Sequence, residues 1–295
     1  MRKNMPEVSV CVVTYNQEKY ITECLQSVVD QETDFDFEVL VGDDCSTDGT
    51  RRIVQEFAEK YPDIIKPILH SKNTGAFHNY VSVHNAAMGK YIAHLDGDDY
   101  WLPGKLQIQK SFLDSNKECN FVVTRITRLD EKGNCKPDKI DIRELPPNGF
   151  TRADIMVVGG IGAHSTKMYR VERRIEDYPN LFILDLFIHI EQIGEGRAYI
   201  VGNQPYAVYR ENVGMLRMQS ETVVSAICDT LAFFNQKYPH CNKYINTGAL
   251  FCFLADIKHR RNTWKNTLFL WMKTFNPLSL ILLFKYWRIK SMFSR

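Results

Sequence analysis

The chain has 295 residues, 44% hydrophobic and 24% charged, with a mean hydropathy of -0.29. That is enough apolar material for one large domain or two small ones, and it excludes a disordered chain; no run approaches the roughly 20 apolar residues of a spanning helix, which excludes a polytopic membrane protein. The net charge of +2 is a cancellation: after Asp256 there are nine Lys and Arg and no Asp or Glu, so an acidic body of -7 carries a basic tail of +9.

The opening MRKNMPEVSVCVVTYN has no long apolar core and no small-residue cleavage site, so it reads as the approach to a strand rather than a secretion signal. Val8 to Val13 is a β-branched run suited to a strand buried on both faces. Gln17 to Val29 follows as a helix with Ile21, Cys24, Leu25 and Val28 on one face. Then come a strand at Phe37 to Val41, a helix at Thr47 to Tyr61, a strand at Ile64 to Leu69, a helix at Phe77 to Met88, and a strand from Tyr91 that ends at Asp96. This βαβαβαβ rhythm predicts an α/β fold, a mostly parallel sheet flanked by helices, with ligands outside the carboxyl ends of the strands. Beyond Pro103 the spacing predicts a helix at Lys105 to Leu113, a strand at Asn120 to Thr127, an apolar stretch at Ile155 to Val158, a helix at Asp185 to Ile193, one or two strands within Ala198 to Val208, and mostly helix over 219–260. The eight cysteines show no C-x-x-C pair and no zinc-like spacing, and point to reduced thiols in a cytosolic compartment.

Two acidic clusters directly follow apolar strands. In Gly42-Asp43-Asp44-Cys45-Ser46-Thr47-Asp48, a helix entry capped by Ser46 or Thr47 accounts for the later residues but not for the two carboxylates crowded at the strand end. In Asp96-Gly97-Asp98-Asp99-Tyr100-Trp101, three carboxylates within four residues call for a cation, and hard divalent ions take oxygen ligands. A calcium loop of the EF-hand kind needs Glu at its twelfth position, where this chain has Gln107. There is no G-x-G-x-x-G after the first strand and no G-x-x-x-x-G-K-[ST], which argues against a dehydrogenase or a P-loop NTPase.

The runs VSVCVVTYN, VLVGDDCSTDGT and NTGAFHNYVSVHNAAMGKYIAHLDGDDYW, in this order and spacing, resemble the family 2 glycosyltransferases. The likeness is close over about residues 6–115 and looser to about 215. It implies the GT-A fold, an inverting transfer from a nucleotide-diphospho-sugar, and a divalent cation, Mg or Mn. Carried over by residue, it implies that Thr14, Tyr15 and Asn16 line the base pocket and that Asp43 accepts from the base, with Asp44 beside it. Asp96 and Asp98 then form the D-x-D element on the nucleotide-sugar, and Asp98 and Asp99 are the metal ligands. Asn73, Gly75 and Asn79 match further family positions, and Arg210 is placed to meet the diphosphate. Cys45 stands where the family has Gly, and Asn212 where it often has His. Independently of the family, displacement at an anomeric carbon needs a base for the acceptor hydroxyl. Candidates in the second half are Asp154, Glu176, Asp177, Asp185, Glu191 and Glu195. Asp185, in an apolar run opening a helix, is either a helix cap or an acid with a raised pKa. The resemblance favours the base, because Asp185 keeps the family's spacing to Gly196; Asp177 is the second choice. His164 is either near the acceptor or structural.

These readings predict a GT-A domain at 1–215 and a helical C-terminal region at 216–295, whose tail (about 264–295) interleaves aromatic, aliphatic and basic residues around Asn276-Pro277. Such a tail fits an anionic membrane surface, or else packs on the domain or an oligomer partner; no nucleic-acid motif is present. The expected function is sugar transfer from a UDP-linked donor to a glycan or lipid-linked glycan in surface polysaccharide or lipopolysaccharide synthesis, at the cytoplasmic face of the inner membrane. The competing readings are a polyprenyl-phosphate sugar synthase and a catalytically silent sugar-nucleotide-binding scaffold.

Overall fold

A computed structural model describes residues 5–211 and 220–293; Asn212 lies outside them. Two compact units are present. The first takes the chain up to Asp138, Gly162–Arg174 and the segment from Tyr199; the second takes Lys139–Ile161, Ile175–Ala198 and the C-terminal helices. Segments from within the first 215 residues therefore join the helical part.

In the first unit the predicted alternation forms β1 (Val8–Thr14), α1 (Ile21–Val29), β2 (Phe37–Asp43), α2 (Thr50–Lys60), β3 (Ile65–Leu69), α3 (Ala76–Ala86) and β4 (Tyr91–Asp96). After a short β5 (Tyr100–Trp101) come α4 (Lys105–Ser115), β6 (Cys119–Leu129), β7 (Cys135–Pro137), β8 (Met168–Arg170) and β9 (Arg197–Arg210). The sheet runs β3-β2-β1-β4-β8-β6-β9-β5, with β7 paired to β6. The strands from β3 to β4 are parallel, whereas β8 pairs antiparallel with both β4 and β6. β1 sits centrally because Val8, Val10, Cys11 and Val12 are buried and can be covered on both faces. Its register places Thr14 beside Asp43 and Val13 beside Asp96, so both acidic turns open at one edge of the sheet, on either side of residues 14–16. α1 buries Ile21, Cys24, Leu25 and Val28, the spacing that one helical face requires.

α2 begins later than predicted. Gly49 is its N-cap, and Asp48 Oδ1, not Ser46 or Thr47, accepts from the Thr50 amide at 3.0 Å. Ser46 Oγ instead accepts from the Asn16 amide at 3.0 Å and Thr47 N donates to Asn16 Oδ1 at 2.8 Å, stitching the β1 and β2 turns together.

The second unit is built on α5 (Arg152–Val158), α6 (Asp185–Ile193), α7 (Ser220–Lys237), α8 (Asn242–Lys258), α9 (Trp264–Lys273) and α10 (Leu278–Phe293). The Ile155 to Val158 stretch is the core of α5, which opens with a Thr151/Asp154 capping box. α8 lies so close to α5 that a Cβ on Gly248 would sit 2.3 Å from the Met156 carbonyl oxygen. The basic tail forms two helices, α9 and α10, on either side of Asn276-Pro277. One face of α10 packs within this unit: Tyr286 donates to Asp154, and Lys290 Nζ donates to the Val158 carbonyl at 2.7 Å. The other face leaves Leu278, Leu280, Ile281, Phe284 and Trp287 exposed. No described helix is long and apolar enough to cross a membrane.

Candidate active site

The turn after β2 is closed on itself. Asp43 is fully buried: Arg51 Nε donates to its Oδ2 at 2.7 Å, and the Ser46 amide lies 3.3 Å from both oxygens. Asp44, also buried, accepts on Oδ1 from the amide and hydroxyl of Thr74, both at 2.7 Å, and on Oδ2 from the Gly75 amide at 2.8 Å. Gly75 caps α3 at φ 88, a conformation that favours glycine, so Asp44 anchors the entry to that helix. Asn79 also holds the frame, donating to the Gly42 carbonyl at 2.9 Å and facing His70 Nε2 at 3.2 Å. Cys45 adopts φ 61. The turn thus keeps a left-handed residue where the resemblance expects Gly, at a cost of about 1 kcal/mol. Asp43 and Asp44 therefore present no carboxylate to solvent. Tyr15, at 45%, Asn16 and Thr47 are exposed at this edge.

The turn after β4 differs. The Asp96 side chain is 39% exposed, with Oδ1 3.2 Å from His94 Nε2 and Oδ2 3.0 Å from Ser165 Oγ. Burial works to raise its pKa, but the His94 ring and the hydrogen bonds from His94 and Ser165 hold it below the usual range. Asp98 is buried, and desolvation followed by the neighbouring Asp96 charge pushes its pKa up to about 7. Asp99 is 1% exposed and its pKa is pushed well up by burial, then by Asp98 and Asp96. Its two oxygens accept from Ser165 Oγ at 2.5 Å and from the Arg210 amide at 2.9 Å. The Ser165 hydroxyl has one proton for two carboxylates.

Arg210, expected to face a diphosphate, is engaged elsewhere. Its guanidinium donates to the Asp98 carbonyl and to Glu23, and lies 5.0 Å from the ring centres of both Tyr20 and Tyr100. It ties the acidic turn to α1 through Glu23. Trp101 packs beneath the same turn, with Nε1 donating to the Ser165 carbonyl at 2.7 Å and Lys105 Nζ 3.8 Å above the ring. His164 is buried, its ring 4.2 Å from that of His94.

Gly97 allows the turn to lie this close: a Cβ there would meet Gln17 Oε1 at 2.5 Å and Thr14 Cβ at 2.9 Å. Thr14 is buried and donates to Gln17 Oε1 at 2.7 Å. Sequence reasoning missed Ser165, Glu23 and His94. The signal for Ser165 lies in GGIGAHST, a glycine-rich run whose polar end carries His164, Ser165 and Thr166.

Asp177 and Asp185 belong to the second unit, and both are exposed. Asp185 is the first residue of α6, after the N-cap Leu184, and is exposed despite its apolar sequence neighbours. Of the other candidates, Asp154 caps α5, Glu191 pairs with Lys237 at 2.6 Å and Glu195 with Arg152 at 2.7 Å, while Glu176 is exposed. Among the described residues, no three His, Cys, Asp or Glu side chains converge as a ready-made metal cage.

A parallel half-sheet with acidic turns at the carboxyl ends of β2 and β4, continued by an antiparallel half, is the architecture of the GT-A class. The structure of S. aureus TarS 1–349 in complex with UDP-GlcNAc matches it with a TM-score of 0.69 at 22% identity, covering 97% of this chain and 88% of that one. The mannosyltransferase PcManGT from Pyrobaculum calidifontis, in complex with GDP-Man and Mn2+, matches with a TM-score of 0.56 at 18% identity, covering 98% and 84%. The family model for glycosyl transferase family 2 matches residues 9–175, and the chain belongs to that family. It is 33% identical over 210 residues to an uncharacterized protein of Mycobacterium tuberculosis, covering 70% of this chain and 59% of that protein. It is 37% identical over 128 residues to TuaG of Bacillus subtilis, a putative teichuronic acid biosynthesis glycosyltransferase, covering 43% and 50%. The chain thus spans little more than half the length of these curated relatives.

Proposed function

We propose that the protein is an inverting glycosyltransferase that moves a sugar from a UDP-linked donor to a glycan or lipid-linked glycan in surface polysaccharide synthesis. One observation carries the reading: within a GT-A fold, the turn after β4 crowds Asp96, Asp98 and Asp99, and burial with mutual repulsion raises the pKa of the last two. A UDP-linked donor is supported by the UDP-GlcNAc complex of TarS, and a polysaccharide role by the printed name of TuaG.

An all-oxygen donor set with excess negative charge suits a hard divalent cation, and the Mn2+ in PcManGT supports one. Asp98 would hold it. Asp99 is reassigned as the brace that accepts from Ser165 and Arg210. A bound Mg or Mn ion supplies Lewis-acid stabilisation of the departing diphosphate. Asp96, held at both oxygens, orients the donor sugar nucleotide. Tyr15 lies against the base, and Thr14 and Asn16 shape the turn around it. In the transfer, the acceptor oxygen bonds to the anomeric carbon as the bond to the diphosphate oxygen breaks with inversion, and the acceptor proton passes to a carboxylate. Asp185 is the proposed base; the family spacing to Gly196 supports it over Asp177, which is equally exposed.

The tail is proposed to hold the protein on the anionic cytoplasmic face of a membrane, where a lipid-linked acceptor resides. Exposed apolar side chains on α10, with Lys285 beside them, support this, as do exposed Phe269 and Met272 on α9 with Lys265 and Lys273. Two experiments test the reading. Donor turnover with Mn2+ is measured across UDP-, GDP- and dTDP-sugars, where UDP-sugar turnover that Asp98→Asn abolishes is expected and no turnover of any donor contradicts it. Flotation with anionic liposomes is compared between the intact chain and Phe284→Ser/Trp287→Ser, where equal flotation contradicts the membrane role.

A further inference from the structure

Behind Asp96 lies a row of buried polar groups that sugar transfer as described does not use. Tyr169 Oη is 2.7 Å from His84 Nδ1, His84 Nε2 is 3.0 Å from His94 Nδ1, and His94 Nε2 is 3.2 Å from Asp96 Oδ1. Tyr169, His84 and His94 are all buried. Tyr80 stacks on His84 with centroids 3.8 Å apart, and the His164 ring lies tilted, 4.2 Å from that of His94.

A neutral imidazole carries one N–H, so the proton positions along this row depend on one another. With Asp96 ionised, His94 must put its proton on Nε2 to donate. His94 Nδ1 then accepts from His84 Nε2, and His84 Nδ1 accepts from the Tyr169 hydroxyl. Any other placement on neutral rings sets two lone pairs or two protons face to face in the interior, which is costly. Burial, and next the His94 ring, hold the His84 pKa well below the usual range, in keeping with a neutral ring.

We propose that His94, its tautomer set by His84 and Tyr169, is a positioning residue that fixes the Asp96 carboxylate for the donor. His94 holds Oδ1 and Ser165 holds Oδ2, so the carboxylate cannot rotate while its outer side stays open. The role rests on Asp96 being a donor contact, as proposed above.

The test uses the full chain with UDP and Mn2+ as probe. In 15N-resolved imidazole spectra at pH 7.5, His94 Nδ1 is expected to be unprotonated; a proton on it overturns the relay. His94→Leu is expected to weaken UDP binding about tenfold, while His94→Gln, which keeps an amide donor at the Nε2 position, stays within about threefold of wild type. Equal losses in both, or none in His94→Leu, overturn the proposal. If His94→Leu fails to fold, Tyr169→Phe removes one oxygen only; it is expected to weaken UDP binding about threefold, and unchanged binding with unchanged His94 nitrogens overturns the relay. Asp96→Asn separates the two failures. If it binds UDP like wild type, Asp96 is no donor contact and the positioning role falls with it; if it binds weakly while His94→Leu does not, the relay alone is overturned.

Discussion

Gly42-Asp43-Asp44 and Gly97-Asp98-Asp99 are the same tripeptide at the ends of two strands that flank β1, and the fold treats them in opposite ways. After β2, Arg51, Ser46, Thr74 and Gly75 donate to the two carboxylates and join three loops into a frame. After β4, the acids face one another, share one serine proton, and have raised pKa values at Asp98 and Asp99. A pair of acids at a strand end is thus either satisfied or left crowded according to the donors brought to it from elsewhere in the chain.

Substitutions that remove charge at one turn and then the other should break this contrast most sharply. Asp98→Asn is expected to lower kcat/KM by about two to three orders of magnitude, the size associated with losing a charge stabiliser. Its melting temperature should stay the same or rise, because a crowded buried charge has been removed. Asp44→Ala should do the reverse. It strands the Thr74 and Gly75 amides and is expected to cost about 2–3 kcal/mol in a denaturant titration, with donor binding by the folded fraction weakened far less. Ser165→Ala, which removes the hydroxyl between Asp96 and Asp99, should reduce kcat/KM about tenfold in the same assay.

The smallest effect concerns the histidines behind β4. Burial, then His94, Lys167 and Arg174, depress the folded-state pKa of His84, and Tyr169 and Tyr80 also face the ring. In the unfolded chain the ring titrates near about 6.5. The contribution is therefore fully present above that pH and is lost as pH falls below it, because the unfolded chain binds the proton and the folded one does not. Between pH 6.5 and 5.5 the unfolding free energy should drop by about 1 kcal/mol, and His84→Gln should flatten that slope.

The alternation of apolar runs from Val8 to Asp96 was legible in the sequence because β1, β2 and β4 are buried on both faces and α1 and α2 on one. Their side-chain periods record that directly. The acidic turns were legible for the same reason, since each follows directly after an apolar strand. What each acid does was not legible. The contacts of Asp99 with Ser165 and Arg210 cross 66 and 111 residues, and the row from Asp96 to Tyr169 draws on β4, α3 and β8. β8 has three residues, too few to show a period, yet it sets Tyr169 beside Ile92 of β4, and the short helical turn just before it carries Ser165. Asp185 was read as an acid within an apolar run, but the run is sequential only, and the carboxylate is exposed where α6 begins.

In the proposed function, the turn after β4, and not the turn after β2, takes a cation together with a nucleotide diphosphate. Calorimetric titration of UDP with Mn2+ and again with EDTA, for wild type and Asp98→Asn, tests it most directly. The account predicts that Mn2+ tightens UDP binding to wild type at least tenfold, on the order of 1.4 kcal/mol, and that Asp98→Asn loses this gain. UDP affinity indifferent to Mn2+ in wild type, or equally enhanced by Mn2+ in Asp98→Asn, would contradict it.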